Sequence, residues 1–235
     1  MRLASPLLLE GDVPSALAPR VHISWRSLDV DDESCARFAA LLSSDEQRHA
    51  ERFRFAIDRR RYAVRRGVLR DLLARRLACD PRDVAIRHNA FGKPYVEGSD
   101  VTFNVSHSQG MALYAFARGP ELGCDVEWQD SRLPIGETAE MVLSPMEIDT
   151  LRSLPETQRT RAFFNYWTAK EAYLKARGVG FSLPPHEIAV SLDGSPCFVA
   201  LPDDDPSDWS LTYLDLAPCY VGALVVRGPA PMIAR

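Results

Sequence analysis

Residues 101–128 have the sequence VTFNVSHSQGMALYAFARGPELGCDVEW, in which three strand-like runs follow one another. The runs extend from Val101 to His107, from Met111 to Ala117 and from Leu122 to Trp128, with short glycine-containing turns between them. The middle run is apolar at every position, which predicts a strand that is buried on both faces. The stretch therefore predicts three consecutive β-strands.

Helical patterns flank this stretch on both sides. Apolar residues recur at helical spacing from Arg59 to Ala78, and a second long helix is expected from Pro155 to Ala176, ending before Gly178. Ser43 and Ser144 are candidate N-caps of shorter helices. Each long helix is therefore expected to cover its own group of strands.

Further strands are expected near both ends of the chain. Val21 to Leu28 has the alternation of an edge strand, and short strands are expected at 84–88, 187–192, 197–201, 209–214 and 220–226. The order strand, helices, strands, helices, strands predicts an α+β fold with two similar halves. We place the boundary near Gly119 to Gly123, which gives an N-terminal half, 1–120, and a C-terminal half, 121–235, each with its own mainly antiparallel sheet.

Positive charge is concentrated in one segment. The chain has 235 residues and a formal net charge of −4, yet residues 48–76 contain eleven arginines and only three acidic residues. A chain that is acidic overall is not typical of a nucleic-acid binder. The segment is expected either to hold a small polyanion or an acidic protein partner, or to form a solvated helix face.

The sequence contains no candidate membrane segment. No apolar run approaches the roughly 20 residues that a membrane helix needs. The run Leu7–Leu9 is followed by acidic residues too soon to form a signal sequence. We therefore expect a cytoplasmic protein.

The cysteines show no pairing pattern. They are odd in number, lack CxxC spacing and have mainly apolar neighbours, which predicts buried free thiols rather than a zinc site or disulfides. The five are Cys35, Cys79, Cys124, Cys197 and Cys219.

Four acidic and basic side chains are the first candidates for metal-binding or catalytic residues. Asp125 and Glu127 are two apart in a predicted strand, so their carboxylates share one face, and such oxygens are ligands that Mg²⁺ prefers. The alternative is a pair of solvated acids on an edge strand. Glu171 and Lys175 are four apart on the second long helix, where they form either a surface ion pair or part of a site at the rim of the core.

Two further segments have residues suited to phosphate. Ser106 and His107 end a predicted strand, where free backbone N–H groups can hold an anion, although a structural histidine is the alternative. The turn Gly92–Pro94 presents Lys93. Lysine is rare here, and its compact charge is one that arginine cannot imitate. The three lysines are Lys93, Lys170 and Lys175.

Four motifs occur in a characteristic order. They are GKPY at 92–95, FNVSHS at 103–108, GCDVE at 123–127 and WTAKEAYLK at 167–175. Together with the upstream arginine cluster 59–61, they resemble the 4'-phosphopantetheinyl transferases of the surfactin-synthetase-activating type over about residues 43–182. The resemblance implies transfer of the phosphopantetheine group of coenzyme A to a serine of an acyl or peptidyl carrier protein, with release of adenosine 3',5'-bisphosphate.

The resemblance also implies an architecture and a metal site. It implies a pseudo-two-fold α+β protein that binds coenzyme A between its halves. Asp125, Glu127 and Glu171 correspond to ligands of Mg²⁺, for which Mn²⁺ is the substitute. Glu171 is also a candidate base for the carrier serine, and Lys175 corresponds to a residue that neutralises a phosphate oxygen.

Besides Lys175, coenzyme A contacts are implied for five residues. His107 and Ser106 correspond to residues that contact its phosphates, and Lys93 and Pro94 to residues that line the nucleotide pocket. Arg61 corresponds to a basic residue near the 3'-phosphate. The basic segment is expected to face the acidic helix of a carrier protein, and two fused halves imply a monomer.

The chain departs from the family pattern at three positions. Glu46 and His49 stand where relatives often have phosphate-binding lysines, which puts the 3'-phosphate contacts in doubt. Cys124 replaces the usual apolar residue before Asp125, a mild change.

Two other functions remain open on the sequence alone. Carboxylate clusters also serve Mg²⁺-dependent phosphohydrolases and nucleases. A non-catalytic module that binds carrier proteins is the third interpretation. The presence of Asp125, Glu127, Glu171 and Lys175 argues against such a module, because a degenerate copy is expected to lose some of them.

Overall fold

The same order of elements occurs twice in the computed structural model, which describes residues 18–130 and 132–234. Each time, one strand is followed by two short helices, a 22-residue helix, a two-stranded hairpin and two strands. The first set comprises β1 (Arg20–Ser27), α1 (Asp32–Ala39), α2 (Ser44–Glu51), α3 (Ala56–Leu77), β2 (Ile86–His88), β3 (Pro94–Val96), β4 (Val101–Ser108) and β5 (Met111–Arg118). The second comprises β6 (Leu122–Trp128), α4 (Ile135–Val142), α5 (Pro145–Ser153), α6 (Glu156–Arg177), β7 (Ala189–Ser191), β8 (Cys197–Ala200), β9 (Trp209–Leu214) and β10 (Tyr220–Arg227), and β11 (Met232–Ala234) follows.

Each set forms its own antiparallel sheet, and the strand order is the same in both. β5 lies between β1 and β4 in the first sheet, as β10 lies between β6 and β9 in the second. The predicted α+β class of antiparallel sheets packed with helices is confirmed. The Leu7–Leu9 run and the rest of residues 1–17 lie outside the described residues.

Local sequence signals account for the helix boundaries. Ser43 and Ser144 each form a capping box with the glutamate three residues on, so α2 and α5 begin where the serines predicted. The helix α6 ends at Gly178, whose φ of 64° is favoured by glycine. These caps satisfy backbone groups that a helix end leaves unpaired.

The core lies on both faces of β5. Tyr114 and Phe116 project into an apolar cluster with α3, whereas Leu113 and Ala115 project into a second cluster shared with β6 and β10. The prediction of a strand buried on both faces is thereby confirmed. A third cluster packs beneath α6.

The structure differs from the sequence predictions at four elements. β1 is not an edge strand, because β11 pairs with it in parallel. The sequence patterns also did not indicate α4, β3 or β11. The two strands have three residues each, and runs this short carry too little periodicity to be recognised.

The prediction of buried thiols is wrong for most cysteines. All five are free, but only Cys124 is buried, because Cys79, Cys197 and Cys219 are exposed and Cys35 is half-buried. Cys79 follows the end of α3, and Cys219 lies in a turn with a φ of 67°. Apolar neighbours in the sequence therefore did not predict the burial of cysteines that lie at a helix end or in a turn. None of the helices that the structure describes combines the length and the hydropathy of a membrane span.

Candidate active site

The two sheets meet where β4 of the first lies beside β6 of the second. β4 and β6 belong to different sheets, and they are joined by hydrogen bonds that involve alternate side chains of β4 rather than by the backbone pairing of two strands in one sheet. Asn104 Oδ1 accepts a hydrogen bond from the N–H of Cys124 at 3.0 Å, and Ser106 Oγ donates to Asp125 Oδ1 at 2.7 Å. We call this contact between β4 and β6 the seam.

Asp125 lies in the middle of the seam and is only 1% exposed. Its Oδ1 atom also accepts from Lys175 Nζ at 2.5 Å. Its Oδ2 atom is buried and has no hydrogen-bond partner among the described residues. The alternative of a solvated acid is therefore excluded for Asp125, and its unpaired oxygen is available to a cation or a hydrogen-bond donor.

Glu127 lies next along the same face of β6 and is held by two donors. Ser108 Oγ donates to its Oε2 atom at 2.7 Å, and Trp167 Nε1 donates to its Oε1 atom at 3.4 Å. Burial and the neighbouring Asp125 raise the pKa of Glu127, although the hydrogen bonds from Ser108 and Trp167 act to lower it. The carboxyl group of Glu127 is therefore a stronger base than an exposed glutamate.

The helix α6 brings Glu171 and Lys175 to the seam because Gly123 has no side chain. A Cβ atom at Gly123 would overlap the backbone of Ala172 and Ala176. Burial raises the pKa of Glu171, with a further contribution from the nearby carboxylates and an opposing one from Lys175. Burial disfavours the charged form of Lys175, but Asp125 outweighs this effect and the pKa of Lys175 is raised.

The donor chemistry of the seam fits a divalent cation. Asp125, Glu127 and Glu171 supply hard oxygen ligands, and one buried oxygen of Asp125 has no partner. Among the residues described, however, no group of three His, Cys, Asp or Glu side chains has the arrangement of a metal site. In this structure the positive charge beside Asp125 is therefore that of Lys175.

A cavity of about 250 Å³ opens beside the seam at the end of α6. Its lining includes Lys93, Pro94, Glu171 and Lys175. Lys93 Nζ donates to the carbonyl oxygen of Ala176, and at 3.4 Å to that of Leu122. Lys93 therefore ties the last turn of α6 to β6, with its amino group occupied by carbonyl oxygens.

A second cavity, of about 340 Å³, lies on the other side of β4, against α3. We call it the α3 cavity; Arg61, Tyr62, Arg65 and His107 are among its lining residues. His107 is exposed and points away from the seam, because it alternates with Ser106 along β4. Basic side chains therefore line this cavity, and β4 lies between it and the buried carboxylates.

Arg61 has a carboxylate partner in this cavity wall. Its Nε and Nη2 atoms each donate to Asp29 at 2.7 Å. The hydrogen bonds from Arg61 lower the pKa of Asp29, and those to Asp29 raise the pKa of Arg61. The positive charge of Arg61 is therefore largely compensated.

Glu46 and His49, two of the three positions that depart from the family pattern, have structural partners. Glu46 is buried and accepts hydrogen bonds from Arg66 and Arg70. The ring of His49 packs against those of Tyr62 and Phe53, with centroids 4.9 Å and 5.6 Å away. Glu46 thus binds two arginines of α3, and His49 packs between two aromatic rings.

Lys170 lies outside the site although it belongs to the same motif as Lys175. It is 1% exposed, and its Nζ atom donates to Glu147 at 2.6 Å and to the carbonyl oxygens of Val142 and Pro185. Burial lowers the pKa of Lys170, which Glu147 opposes. Its partners indicate a structural role in the C-terminal half.

The structure distributes the predicted site residues over three neighbouring places. Those at the seam are Ser106, Asp125, Glu127, Glu171 and Lys175, those in the first cavity include Lys93 and Pro94, and those in the α3 cavity are Arg61 and His107. Asn104, Ser108 and Trp167 also contact the seam but were not among the predicted site residues. The polar alternation at 104, 106 and 108 was the available signal for the first two.

Comparisons with known proteins agree across both halves. Residues 121–225 match the family model described as the 4'-phosphopantetheinyl transferase superfamily. Residues 25–117 match the model described as 4'-phosphopantetheinyl transferase, N-terminal. The seam joins these two matched segments.

Individual relatives carry the same description. The chain is 39% identical over 217 residues to the 4'-phosphopantetheinyl transferase HetI of Nostoc, covering 90% of each protein. It is 28% identical over 214 residues to the 4'-phosphopantetheinyl transferase Sfp of Bacillus subtilis, covering 89% of this chain and 93% of Sfp. Among solved structures, the holo-[acyl-carrier-protein] synthase of Thermotoga maritima overlaps with a TM-score of 0.38 and 21% identity, over 46% of this chain and 62% of that protein.

Proposed function

Since this chain belongs to the 4'-phosphopantetheinyl transferase superfamily, we propose that it transfers the 4'-phosphopantetheine group of coenzyme A to a serine of an apo acyl or peptidyl carrier protein. The products are the holo-carrier protein and adenosine 3',5'-bisphosphate. The observation that carries the proposal is the seam, where the buried Asp125 meets Lys175 in a site that also holds Glu127 and Glu171.

The transfer needs positioning and charge compensation rather than a covalent intermediate on the protein. The carrier serine oxygen forms a bond to the phosphorus that bears pantetheine. The bond from that phosphorus to the bridging oxygen breaks, and its electron pair leaves with adenosine 3',5'-bisphosphate. The hydroxyl proton of the serine passes to a base.

We assign that base to a carboxylate of the seam. Without a bound cation, burial and the neighbouring carboxylates raise the pKa values of both Glu127 and Glu171, so the choice between them as base rests on their positions. Glu171 is our first choice because it also lines the cavity beside the seam, whereas Ser108 and Trp167 already hold both oxygens of Glu127.

The basic residues orient coenzyme A and compensate its charge. Lys175 shares the first cavity with Glu171, so its ammonium group can contact a phosphate oxygen as negative charge develops. Ser106 and His107 contact phosphates from adjacent positions on β4. Lys93 and Pro94 line the nucleotide pocket with their backbone and aliphatic atoms.

We further propose that Asp125, Glu127 and Glu171 hold Mg²⁺, with Mn²⁺ as a substitute. Bound there, the ion would supply charge neutralisation to the diphosphate. The three carboxylates provide the oxygen donors, and the unpaired Oδ2 atom of Asp125 supports this assignment.

The finer assignments follow from the resemblance and the charge pattern. We propose that the protein is of the surfactin-synthetase-activating type, functions as a cytoplasmic monomer and divides functionally at residues 1–120 and 121–235. The basic segment 48–76 complements an acidic carrier protein.

The test is to incubate the protein with coenzyme A, Mg²⁺ and a panel of apo carrier proteins, and to measure intact carrier masses. We expect a gain of one phosphopantetheine group, which is absent when the carrier serine is replaced by alanine. Hydrolysis of phosphate esters without carrier modification would instead identify a phosphohydrolase. Carrier binding without either reaction would identify a non-catalytic module.

A further inference from the structure

A third cavity, of about 350 Å³, lies between the last turn of α3, the start of β1 and the end of β5. We call it the distal cavity. Its lining includes four basic side chains, which are Arg20, His22, Arg76 and Arg118. No acidic side chain of residues 18–130 or 132–234 belongs to this lining. In a chain whose formal net charge is −4, a cavity lined in this way has a positive potential and attracts anions.

The register of the strands brings these basic side chains around one aromatic ring. His22 lies directly opposite Phe116 in the antiparallel pair of β1 and β5. Arg20 and Arg118 are each two residues away from that pair along their strands, so they project from the same face of the sheet. The guanidinium carbon of Arg76 lies 3.9 Å from the centroid of the Phe116 ring. The four side chains therefore surround a single space above Phe116.

Arg76 is half-buried, and two contacts fix the position of its guanidinium group. Besides stacking on the ring of Phe116, it donates from Nη1 to the carbonyl oxygen of Leu72 at 2.7 Å. Its Nε and Nη2 atoms have no acceptor among the residues that the structure describes. Burial and the neighbouring Arg75 lower the pKa of Arg76, so its charge lacks compensation. A guanidinium group that is held in place with unused donors matches the oxygens of a phosphate.

The end of α3 is compensated as well. Carbonyl groups at the end of a helix carry partial negative charge, which would repel an anion. Arg118 donates from Nη2 to the carbonyl oxygen of Arg76 at 3.2 Å, and its Nη1 atom donates to the exposed Asp100. Arg118 therefore neutralises the helix end. Arg20 and His22, which are exposed, and Arg76 remain to face a ligand.

The distal cavity is separate from the candidate active site. Arg61 lines the α3 cavity and Arg76 lines the distal cavity. Both belong to α3, and at a rise of about 1.5 Å per residue their positions are about 22 Å apart along the helix. In the same way, β4 runs from Val101 in the distal cavity to Ser106 at the seam.

We propose that the distal cavity is a second anion site, which binds a phosphate group through Arg20, His22 and Arg76. The group is either free phosphate or the phosphomonoester of a small molecule. Bound there, it joins the start of β1 to the end of α3. The inference is independent of the proposed function, because these three residues line neither the α3 cavity nor the cavity beside the seam.

The test uses a reporter inside the cavity. Carbon–proton correlation NMR follows the ring signal of His22, which is assigned by its loss in His22→Gln. Sodium phosphate is titrated at constant pH, with sodium chloride at matched ionic strength as the reference. We expect the signal to shift with phosphate until it saturates, and not with chloride. The apparent dissociation constant should rise at least fivefold in Arg20→Met and in Arg76→Met, because each substitution removes donors to the phosphate.

Two control variants separate a specific site from general charge effects. Arg75→Met removes an exposed arginine of the same helix, whose partner is Asp71, and Arg61→Met removes the arginine of the α3 cavity. Both should match the wild type. Glycerol 3-phosphate is titrated in the same way. Binding tighter than that of inorganic phosphate would identify a phosphomonoester as the ligand, and weaker binding would identify the free anion.

Two results would overturn the inference. One is a signal of His22 that phosphate and chloride shift equally, or that neither shifts. The other is an equal loss of affinity in Arg20→Met and Arg75→Met, because that would indicate screening of the whole basic surface. Since Arg20 is exposed at the start of β1, Arg20→Met is expected to fold, and it decides the question even where Arg76→Met is unstable.

Discussion

The Nζ atom of Lys175 lies 2.5 Å from Oδ1 of Asp125, and this contact joins α6 to β6 across the candidate active site. Asp125 is almost fully buried, whereas the side chain of Lys175 is 30% exposed toward the cavity. The pair therefore has two roles. It stabilises a buried carboxylate, and it fixes the position of an ammonium group that a phosphate can reach.

Replacing Lys175 by methionine should reduce both activity and stability. We expect carrier modification to fall at least about 100-fold, because charge compensation at the phosphate is lost. The free energy of unfolding should fall by about 2 to 3 kcal/mol, because Asp125 remains buried without its cation. Chemical denaturation and the mass assay measure the two effects.

The double variant Asp125→Asn/Lys175→Met is the control for this pair. It should regain part of the lost stability without regaining activity, since the charges are removed together. A double variant no more stable than Lys175→Met would mean that the ion pair does not stabilise the fold.

Gly123→Ala should separate α6 from β6. The added methyl group would overlap the backbone of Ala172 and Ala176, and overpacking of this kind costs about 1 to 3 kcal/mol. Transfer should fall as well, because Glu171 and Lys175 move with the helix. The matched control is Gly136→Ala in α4, where an added Cβ atom meets nothing within 4 Å; that variant should be neutral or more stable by up to about 1 kcal/mol. Equal unfolding midpoints for the two variants would contradict this account of the packing.

Lys170→Met should be strongly destabilising because it leaves Glu147 buried without a cation. The two side chains are 1% and 0% exposed, and breaking such a pair costs about 3 to 5 kcal/mol. The control is Arg152→Met, which breaks the exposed pair with Glu140 and should change stability by no more than about 1 kcal/mol. Similar unfolding energies for both variants would assign Lys170 no structural role.

The sequence predicted which acidic residues share a face of β6, but it did not predict which side chain pairs with them. Asp125 and Glu127 share a face of β6 because strand periodicity requires it, and the order of the residues is enough to show that periodicity. The partner of Asp125, however, is 50 residues away on another element. The spacing of the two acids predicted either metal ligands or solvated carboxylates, and it gave no sign that the folded chain places Lys175 against Asp125.

The fold was predictable where periodicity or capping was strong. The helices α3 and α6 and the strands β4 to β6 agree with the predicted segments within a few residues. The pairing of the α3 arginines was not predictable, because helical spacing cannot say which of them meets Asp29, Glu46 or no carboxylate. That pairing depends on how α1, α2 and the loops pack on α3.

Stability should depend on pH through Glu127 and Glu171. The pKa values of both groups are raised above 4.5 in the folded protein, so the folded state binds more protons than the unfolded state between pH 4.5 and those raised values. Their contribution to stability is therefore present at low pH and is lost as the pH rises through the folded pKa values. Measured in a chelator, the variant Glu127→Gln/Glu171→Gln should be more stable than the wild type at pH 7, and the difference should disappear as the pH falls to 4.5.

The same pair of proteins tests the metal assignment without an activity assay. If Mg²⁺ binds among the carboxylates, adding it at pH 7 should raise the melting temperature of the wild type by mass action. The double glutamine variant should show no such increase, because it lacks two of the three proposed ligands. In the variant, the amide oxygen at position 127 can accept from Trp167 and the amide NH2 group can donate to the hydroxyl oxygen of Ser108, so the fold should be preserved. An equal increase in both proteins would place the ion elsewhere, and a stability difference that grows as the pH falls would contradict the raised pKa values themselves.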